Sequence, residues 1–270
     1  MPTRGVDTVL AFFNREGEHY LPTRVAISSW SPTQVSGPAI CGLLARELET
    51  RAPGAEFVPA RLTVDLFSAV SDEPTTVRST VVREGKRICV ADAELVQRDE
   101  VRSRATVVYL RTGEVPAGEL WQPGRELPVP GVPDESEAGA HPLLKSGEQE
   151  WTRNFGANQN ADRKAIWQNM LPVVAGDPVT PFQRVAMAGD AASFMSNWGS
   201  AGIGYINSDV TLTLARLPIG PGIGVLAQDH VAAAGISVGT VSLYDRSGPL
   251  GTAVVTAVSN ARRQVDMTQF

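Results

Sequence analysis

YINSDVTLTLAR, residues 205–216, reads as a β-strand with an unusually polar beginning. Its second half alternates apolar and polar residues, with Val210, Leu212 and Leu214 on one face, as in a strand that buries one side. Its first half carries NSD, where a buried strand normally has Val or Ile. The stretch therefore predicts a strand, and its beginning raises the question of whether functional groups lie there.

A second stretch, ARLTVDLFSAV at residues 60–70, shows the same alternation. Thr63 in this stretch and Thr211 in the other lie 148 residues apart. The same spacing matches further residues from the preceding helix to the last strand, without a gap: Leu66 with Leu214, Leu95 with Leu243, Arg98 with Arg246, Ala105 with Ala253 and Val107 with Val255. A constant spacing of this kind indicates an internal repeat with a first and a second copy.

Each copy is predicted to begin with a strand region that contains a tryptophan, Trp30 or Trp167. A helix rich in small residues follows, GPAICGLLARELETR in the first copy and PFQRVAMAGDAASFMSNW in the second, and then four β-rich segments. Because no helix separates the β-rich segments, the fold class is predicted to be α+β. The Ala and Gly content of the helices permits a sheet to curl closely around each of them.

The region between the copies is rich in Pro, Gly and acidic residues. Residues 114–150 are therefore predicted to form a linker between an N-terminal domain, residues 1–113, and a C-terminal domain, residues 151–270. Trp121 and Leu127 are expected to hold this linker against a domain surface.

Composition excludes several classes of function. A net charge of −5 argues against nucleic acid as a partner. The three scattered histidines and the lack of a P-loop, dinucleotide fingerprint or nucleophile elbow indicate neither a metal site nor a cofactor. No signal peptide or membrane span is evident, so a cytoplasmic protein is expected, with Cys41 and Cys89 as buried free thiols.

Several segments together resemble the double hotdog acyl-CoA thioesterases of the thioesterase II, TesB-like type. AGDAASF, YINSDVTLTLARLPIG and GISVGTVSLYDRSGPLGTAVV resemble the second half of that family. LTVDLFSAV and VVREGKRICVADAELVQ resemble its N-terminal hotdog. The resemblance implies a tandem (double) hotdog, in which each long central helix is wrapped by an antiparallel β-sheet, with acyl-CoA bound between the two domains. It also makes a homodimer plausible.

The resemblance further implies that three side chains orient a water that attacks the thioester of a fatty acyl-CoA. The matching positions are Asp190 in the second helix, Asn207 at the beginning of the next strand and Thr256 on the last strand. At the second and third positions the family usually carries Ser or Thr and Gln, so this sequence departs from the family at both. These departures favour an alternative function, a catalytically degenerate acyl-CoA or lipid-binding hotdog protein.

The repeat supports the same three positions independently. At each, the second copy carries a hydrogen-bonding side chain and the first copy carries none: Asp190 corresponds to Gly42, Asn207 to Pro59 and Thr256 to Val108. A carboxylate among the apolar residues around Asp190 has a raised pKa if it is buried, which is typical of a general base.

Each of the three residues also has an ordinary structural explanation. Asp190 could lie exposed on a polar stripe or at a break caused by glycine, Asn207 could form an Asx turn, and Thr256 could be a plain strand residue. Strand alternation predicts that Asp209 points away from the face of Val210, into solvent. Ser36 is predicted to cap the first helix.

Overall fold

The computed structural model describes residues 10–28, 31–122, 124, 126–131, 139 and 141–269. The first copy and the hairpin before it contain β1 Phe13–Glu16, β2 His19–Pro22, α1 Gly37–Glu49, β3 Phe57–Leu66, β4 Thr76–Arg83, β5 Ile88–Gln97 and β6 Glu100–Arg111. The second copy and the strand before it contain β7 Leu143–Ser146, β8 Lys164–Asn169, α2 Pro181–Gly189, α3 Ala191–Asn197, β9 Trp198–Gly199, β10 Gly202–Ile203, β11 Tyr205–Asn207, β12 Asp209–Leu214, β13 Gly222–Ala233, β14 Ile236–Asp245 and β15 Gly248–Ser259.

An antiparallel sheet of 11 strands dominates the fold, in the order β4-β5-β6-β3-β12-β15-β14-β13-β8-β7, with β11 also paired to β15. The β-rich segments predicted from the sequence are strands of this sheet, and the predicted α+β class is confirmed. Trp167 lies in β8 as expected, whereas Trp30 lies outside the described residues.

The repeat holds in the structure with the spacing seen in the sequence. The bounds of β5 and β6, Ile88–Gln97 and Glu100–Arg111, recur 148 residues later as those of β14 and β15, Ile236–Asp245 and Gly248–Ser259. In the same way, β3 corresponds to β11 and β12 taken together. The two copies therefore have the same order of strands.

The copies meet where β3 pairs with β12. Val64 lies opposite Val210 and Leu62 lies opposite Leu212. In the repeat, Leu62 corresponds to Val210 and Val64 corresponds to Leu212. The two pairs are therefore exchanged by a two-fold rotation, as in a symmetric contact between two subunits.

Helices lie on the buried side of the sheet, where α1 contacts β4, β5 and β6, and α3 contacts β13, β14 and β15. Buried apolar side chains of both copies form one continuous core between the sheet and the helices. Across this core α1 packs against α2, where a Cβ at Gly42 would lie 2.7 Å from Cγ of Met187. Glycine at this position therefore permits the close contact of the two helices.

The sequence predicts one continuous helix in the second copy, but the structure has two. α2 ends at Gly189 and α3 begins at Ala191. Gly189 lies so close to Leu212 of β12 that any added Cβ would overlap its side chain. The helix thus touches the sheet at this point, and Asp190 occupies the break that follows. Thr180 caps α2 by accepting a hydrogen bond from the Gln183 backbone N–H at 3.1 Å.

The predicted linker ends in an unexpected strand, since β7 lies within residues 114–150 and pairs with β8. Leu144 of β7 is fully buried. Leu127 packs against a small buried cluster that contains Trp167 and Tyr244, so it holds the linker as expected. Trp121 does not, since it is 85% exposed. The domain boundaries themselves stay predictions.

Ser36 occupies the predicted capping position of α1, although its side chain makes no capping hydrogen bond. Cys41 and Cys89 are buried free thiols, as predicted. Within the described ranges, no helix is both long and apolar enough to cross a bilayer, and no cluster of side chains has the composition of a metal site.

Candidate active site

Asp190 lies between α2 and α3 in a helical backbone conformation, with φ −61° and ψ −26°. Its carboxylate reaches the first copy of the repeat, where it lies against Gly37, the first residue of α1. A Cβ at Gly37 would overlap both carboxylate oxygens. The carboxylate of the second copy therefore lies at the N-terminus of the helix of the first copy, where backbone N–H groups have no intrahelical acceptor.

Asn207 ends β11 and faces this carboxylate. Its Nδ2 donates a hydrogen bond to Oδ1 of Asp190 over 3.4 Å. Asn207 lies directly opposite Ala257 of β15, which is buried on the inner face of the sheet. As whole residues, both Asp190 and Asn207 are half-buried.

A β-bulge gives Asn207 this direction. Val210 points inward, and strict alternation would place a residue three positions earlier on the outer face. However, Asn207 lies opposite Ala257 while Thr211 lies opposite Val254, so β11 and β12 contain one residue more than the matching part of β15. The extra residue returns Asn207 to the inner face, as bulges beside functional sites commonly do.

Thr256 does not join the other two predicted residues. It lies between Val255 and Ala257, both buried on the inner face, and its own side chain therefore points outward. There its hydroxyl donates to Oδ1 of Asp209 and lies 2.9 Å from Oγ of Ser208. The expectation that Thr256 orients a water beside Asp190 is corrected for this reason. Asp209 points outward, as predicted.

Burial dominates the electrostatics of the site. It raises the pKa of Asp190 to about 6, and the hydrogen bond from Asn207 opposes this shift because it favours the charged carboxylate. Nearby on α1, burial raises the pKa of the Cys41 thiol well above its ordinary value, and the charge of Asp190 raises it further. The thiol therefore stays neutral near pH 7, while the carboxylate is mostly ionised and can accept a proton.

Two neighbours of Asp190, Gly37 and Cys41, were not expected from the sequence. They lie one turn apart on α1 and therefore share the face of the helix that meets Asp190. The GP pair at the beginning of the helix was the available signal for Gly37, since glycine there admits a foreign side chain. Nothing in the sequence around Cys41 indicates that it faces a carboxylate.

Arg216 lies away from the pair and has a structural role. Its guanidinium binds both carboxylate oxygens of Asp245 at 2.7 and 2.8 Å. Asp245 is only 1% exposed and also accepts the Ile219 backbone N–H at 2.8 Å. These contacts fix the chain after β12 to the turn after β14.

Comparison with protein families matches residues 26–110 to the acyl-CoA thioesterase N-terminal domain. The first copy of the repeat is therefore similar to the N-terminal domain of that family. The resemblance inferred from sequence motifs is thereby confirmed. No curated protein matches the chain.

Solved structures share the fold across both copies. A TesB protein of Mycobacterium avium subsp. paratuberculosis has a TM-score of 0.66 and 14% identity, covering 92% of this chain and 95% of its own. An acyl-CoA thioesterase II from Mycobacterium marinum has a TM-score of 0.61 and 12% identity, covering 90% and 93%. A hotdog-fold protein from Alicyclobacillus acidocaldarius has a TM-score of 0.63 and 14% identity, covering 96% and 98%. The chain therefore has a hotdog-type fold, a large antiparallel sheet with few helices.

Proposed function

We propose that this protein hydrolyses acyl-CoA thioesters with a water activated by Asp190. The observation that carries the proposal is the hydrogen-bonded pair of Asp190 and Asn207 at the N-terminus of α1. A carboxylate with a pKa near 6 is matched to removing a proton from water near neutral pH. The family match of residues 26–110 supplies the acyl-CoA thioester as the substrate class.

We further propose that the two copies form a tandem double hotdog with the site in the groove between them. The equal strand order of the copies and the symmetric pairing of β3 with β12 support this arrangement. The contact of Asp190 with Gly37 supports the location of the groove, because it joins the helix break of the second copy to α1 of the first.

In the proposed reaction, the ionised Asp190 removes a proton from a water as its oxygen attacks the thioester carbonyl carbon. Asn207 holds the carboxylate through one amide hydrogen, and its second amide hydrogen and carbonyl oxygen remain to orient the water. Unpaired N–H groups in the first turn of α1 can stabilise the developing oxyanion. When the carbon–sulfur bond breaks, the proton on Asp190 passes to the departing sulfur, which gives a free acid and CoA thiol.

A thiol-release assay with fatty acyl-CoA substrates of several lengths tests this function. Asp190→Asn removes the base but keeps the shape of the side chain, so release of CoA is expected to fall by about a hundredfold or more. Asp72→Asn is the matched control, because Asp72 is an exposed carboxylate of the first copy and its loss leaves release unchanged. Release by Asp190→Asn at the wild-type rate contradicts the proposal.

The outward direction of Thr256 favours a second candidate, a catalytically degenerate acyl-CoA or lipid-binding protein. Only two of the three predicted groups meet, which leaves fewer groups to hold a water. Calorimetric titration of the wild type with an acyl-CoA, beside the thiol-release assay, separates the two functions. Binding without release of CoA establishes this candidate and removes the first.

The fatty nature of the acyl group, the cytoplasmic location and a homodimeric state remain part of the proposal. They extend the sequence-based expectations and each requires its own measurement. Activity across acyl-CoA chain lengths tests the first, cell fractionation the second and sedimentation of the full chain the third.

A further inference from the structure

The bulge that directs Asn207 inward is held by side chains on the opposite face of the sheet. Ser208 and Asp209 both lie opposite Thr256 at this point. The Ser208 backbone N–H donates to the Thr256 carbonyl oxygen at 2.9 Å, so the main chains remain paired across the bulge. The side chains of Ser208, Asp209 and Thr256 are also hydrogen-bonded to one another, with the Asp209 carboxylate as the shared acceptor.

Asp209 accepts a hydrogen bond from each of the other two side chains. The Thr256 hydroxyl donates to Oδ1 of Asp209, and the Ser208 hydroxyl donates to the same oxygen at 3.0 Å. The Ser208 and Thr256 hydroxyls lie 2.9 Å apart. A carboxylate that accepts two hydroxyl hydrogen bonds forms charge-assisted contacts, which are stronger than neutral ones.

The first copy has a bulge at the equivalent place but lacks these hydrogen bonds. Pro59 lies opposite Tyr109 while Arg61 lies opposite Val108, so one residue is extra there as well. Proline has no backbone N–H to donate to a ladder and is tolerated at bulges. The second copy carries Asn207 in place of Pro59, and the proline that suits the bulge of the first copy is therefore missing.

We propose that Ser208, Asp209 and Thr256 form a positioning cluster, the bulge clamp, which holds Asn207 against Asp190 in place of the proline of the first copy. The proposal deepens the proposed function, on which its kinetic part rests. Thr256 thus acts on the site from the far face of the sheet, through the main chain of the bulge, and touches neither the carboxylate nor a substrate.

Loss of the bulge clamp should change the pKa of Asp190, which distinguishes it from a cluster that only packs the strands together. Without the Thr256 hydroxyl, the bulge can shift its extra residue and Asn207 loses its contact with Asp190. The carboxylate then loses its hydrogen-bond donor, and its pKa rises above the wild-type value of about 6. Cys41 on α1 is the titratable group that faces it, and this buried thiol stays neutral in the range concerned.

Thr256→Val tests the clamp, because it removes the hydroxyl and keeps the branched shape. Thr252→Val is the matched control, since Thr252 also lies on β15 and its hydroxyl lies 2.9 Å from that of Thr213, away from the bulge. The pKa of Asp190 is measured by carboxyl ¹³C NMR titration, which requires no catalysis. It is expected to rise in Thr256→Val and in Asn207→Ala, and to stay unchanged in Thr252→Val.

Kinetics supply the second measurement. For Thr256→Val, kcat is expected to fall about tenfold or more with a smaller change in KM, because displacement of a positioned group mainly affects the chemical step. Adding Thr256→Val to Asn207→Ala is expected to cause no further loss, since both changes remove the same contact. If the wild type releases no CoA, the NMR titration alone decides on the clamp, and the proposed function fails separately.

Thr256→Ser completes the design because it restores the hydroxyl without the methyl group. Wild-type values for this variant support the clamp, whereas losses equal to those of Thr256→Val show that the methyl group matters and overturn it. The clamp is also overturned if Thr256→Val and Thr252→Val have the same pKa for Asp190. It is equally overturned if the falls in kcat caused by Thr256→Val and Asn207→Ala are fully additive in the double variant. Should Thr256→Val fail to fold, Thr256→Ser beside Ser208→Ala carries the same comparison.

Discussion

Thr63 and Thr211, the same position in the two copies of the repeat, lie directly opposite each other at the junction of β3 and β12. The Thr211 hydroxyl donates to the Thr63 hydroxyl over 3.1 Å. The internal two-fold axis of the chain therefore passes between these two side chains. The spacing that reveals the repeat in the sequence is in this way also a contact in the structure.

Removing one hydroxyl of this pair is expected to lower the free energy of unfolding more, per substitution, than removing both. Thr211→Val or Thr63→Val should each lower the free energy of unfolding by about 1 kcal/mol, because each leaves one half-buried hydroxyl without its partner. The double variant should cost less than the sum of the two, since valine pairs suit a strand junction. Urea unfolding of all four proteins measures this coupling, and strict additivity contradicts a direct bond.

Gly37→Ala is expected to reduce acyl-CoA hydrolysis by about tenfold or more, because the new methyl group displaces the Asp190 carboxylate. Gly113→Ala is the control, since a Cβ there meets no atom within 4 Å. Steady-state release of CoA by both variants provides the measurement. Equal activity of Gly37→Ala and wild type contradicts the placement of the carboxylate against α1.

The rate of hydrolysis is expected to rise with pH through about 6, because Asp190 must be ionised to accept a proton and burial raises its pKa to that value. Below this range kcat should fall by about tenfold per pH unit. Asn207→Ala removes the hydrogen bond that opposes the shift, so its acidic limb should lie at higher pH. Rates measured from pH 4.5 to 8 with one acyl-CoA check both statements, and a rate independent of pH below 6 argues against Asp190 as the base.

The strands and the repeat could be predicted from the sequence because they depend on local patterns, whereas the two residues of the candidate pair were implied by the resemblance to a known family and supported by the repeat. Alternation marks buried strand faces, and spacing marks duplication. Alternation alone could not predict that Thr256 points outward and Asn207 points inward. One extra residue in a bulge reverses the face of the sheet to which the preceding residues of the strand point. The contact of Asp190 with Gly37 joins residues from different copies, and only the packing of α1 on α2 creates it.

Asp190→Asn is expected to stabilise the fold near neutral pH. The pKa of Asp190 is about 6 in the folded chain, above the ordinary value of 3.8, so the folded state favours the protonated carboxyl. Ionisation therefore costs stability as pH rises from about 4 to 6, and the full cost, of about 1–3 kcal/mol, applies above this window. Denaturant unfolding at pH 4 and pH 8 tests this. The free energy of unfolding of the variant should exceed that of the wild type at pH 8 but not at pH 4. An equal difference at both values contradicts a raised pKa.

Arg216→Ala is expected to destabilise the fold without changing the chemistry of the site. It leaves the Asp245 carboxylate buried without its guanidinium partner, and the cost should be about 2 kcal/mol because Arg216 itself is partly accessible. Hydrogen bonds from Arg216 hold the pKa of Asp245 below its usual range against the opposing effect of burial, so the loss should shrink in acid as the carboxyl becomes protonated. Measurements of thermal unfolding, kcat and KM distinguish a role of Arg216 in the stability of the fold from a role in binding the substrate. A rise in KM with unchanged stability instead identifies Arg216 as a group that binds the CoA phosphates.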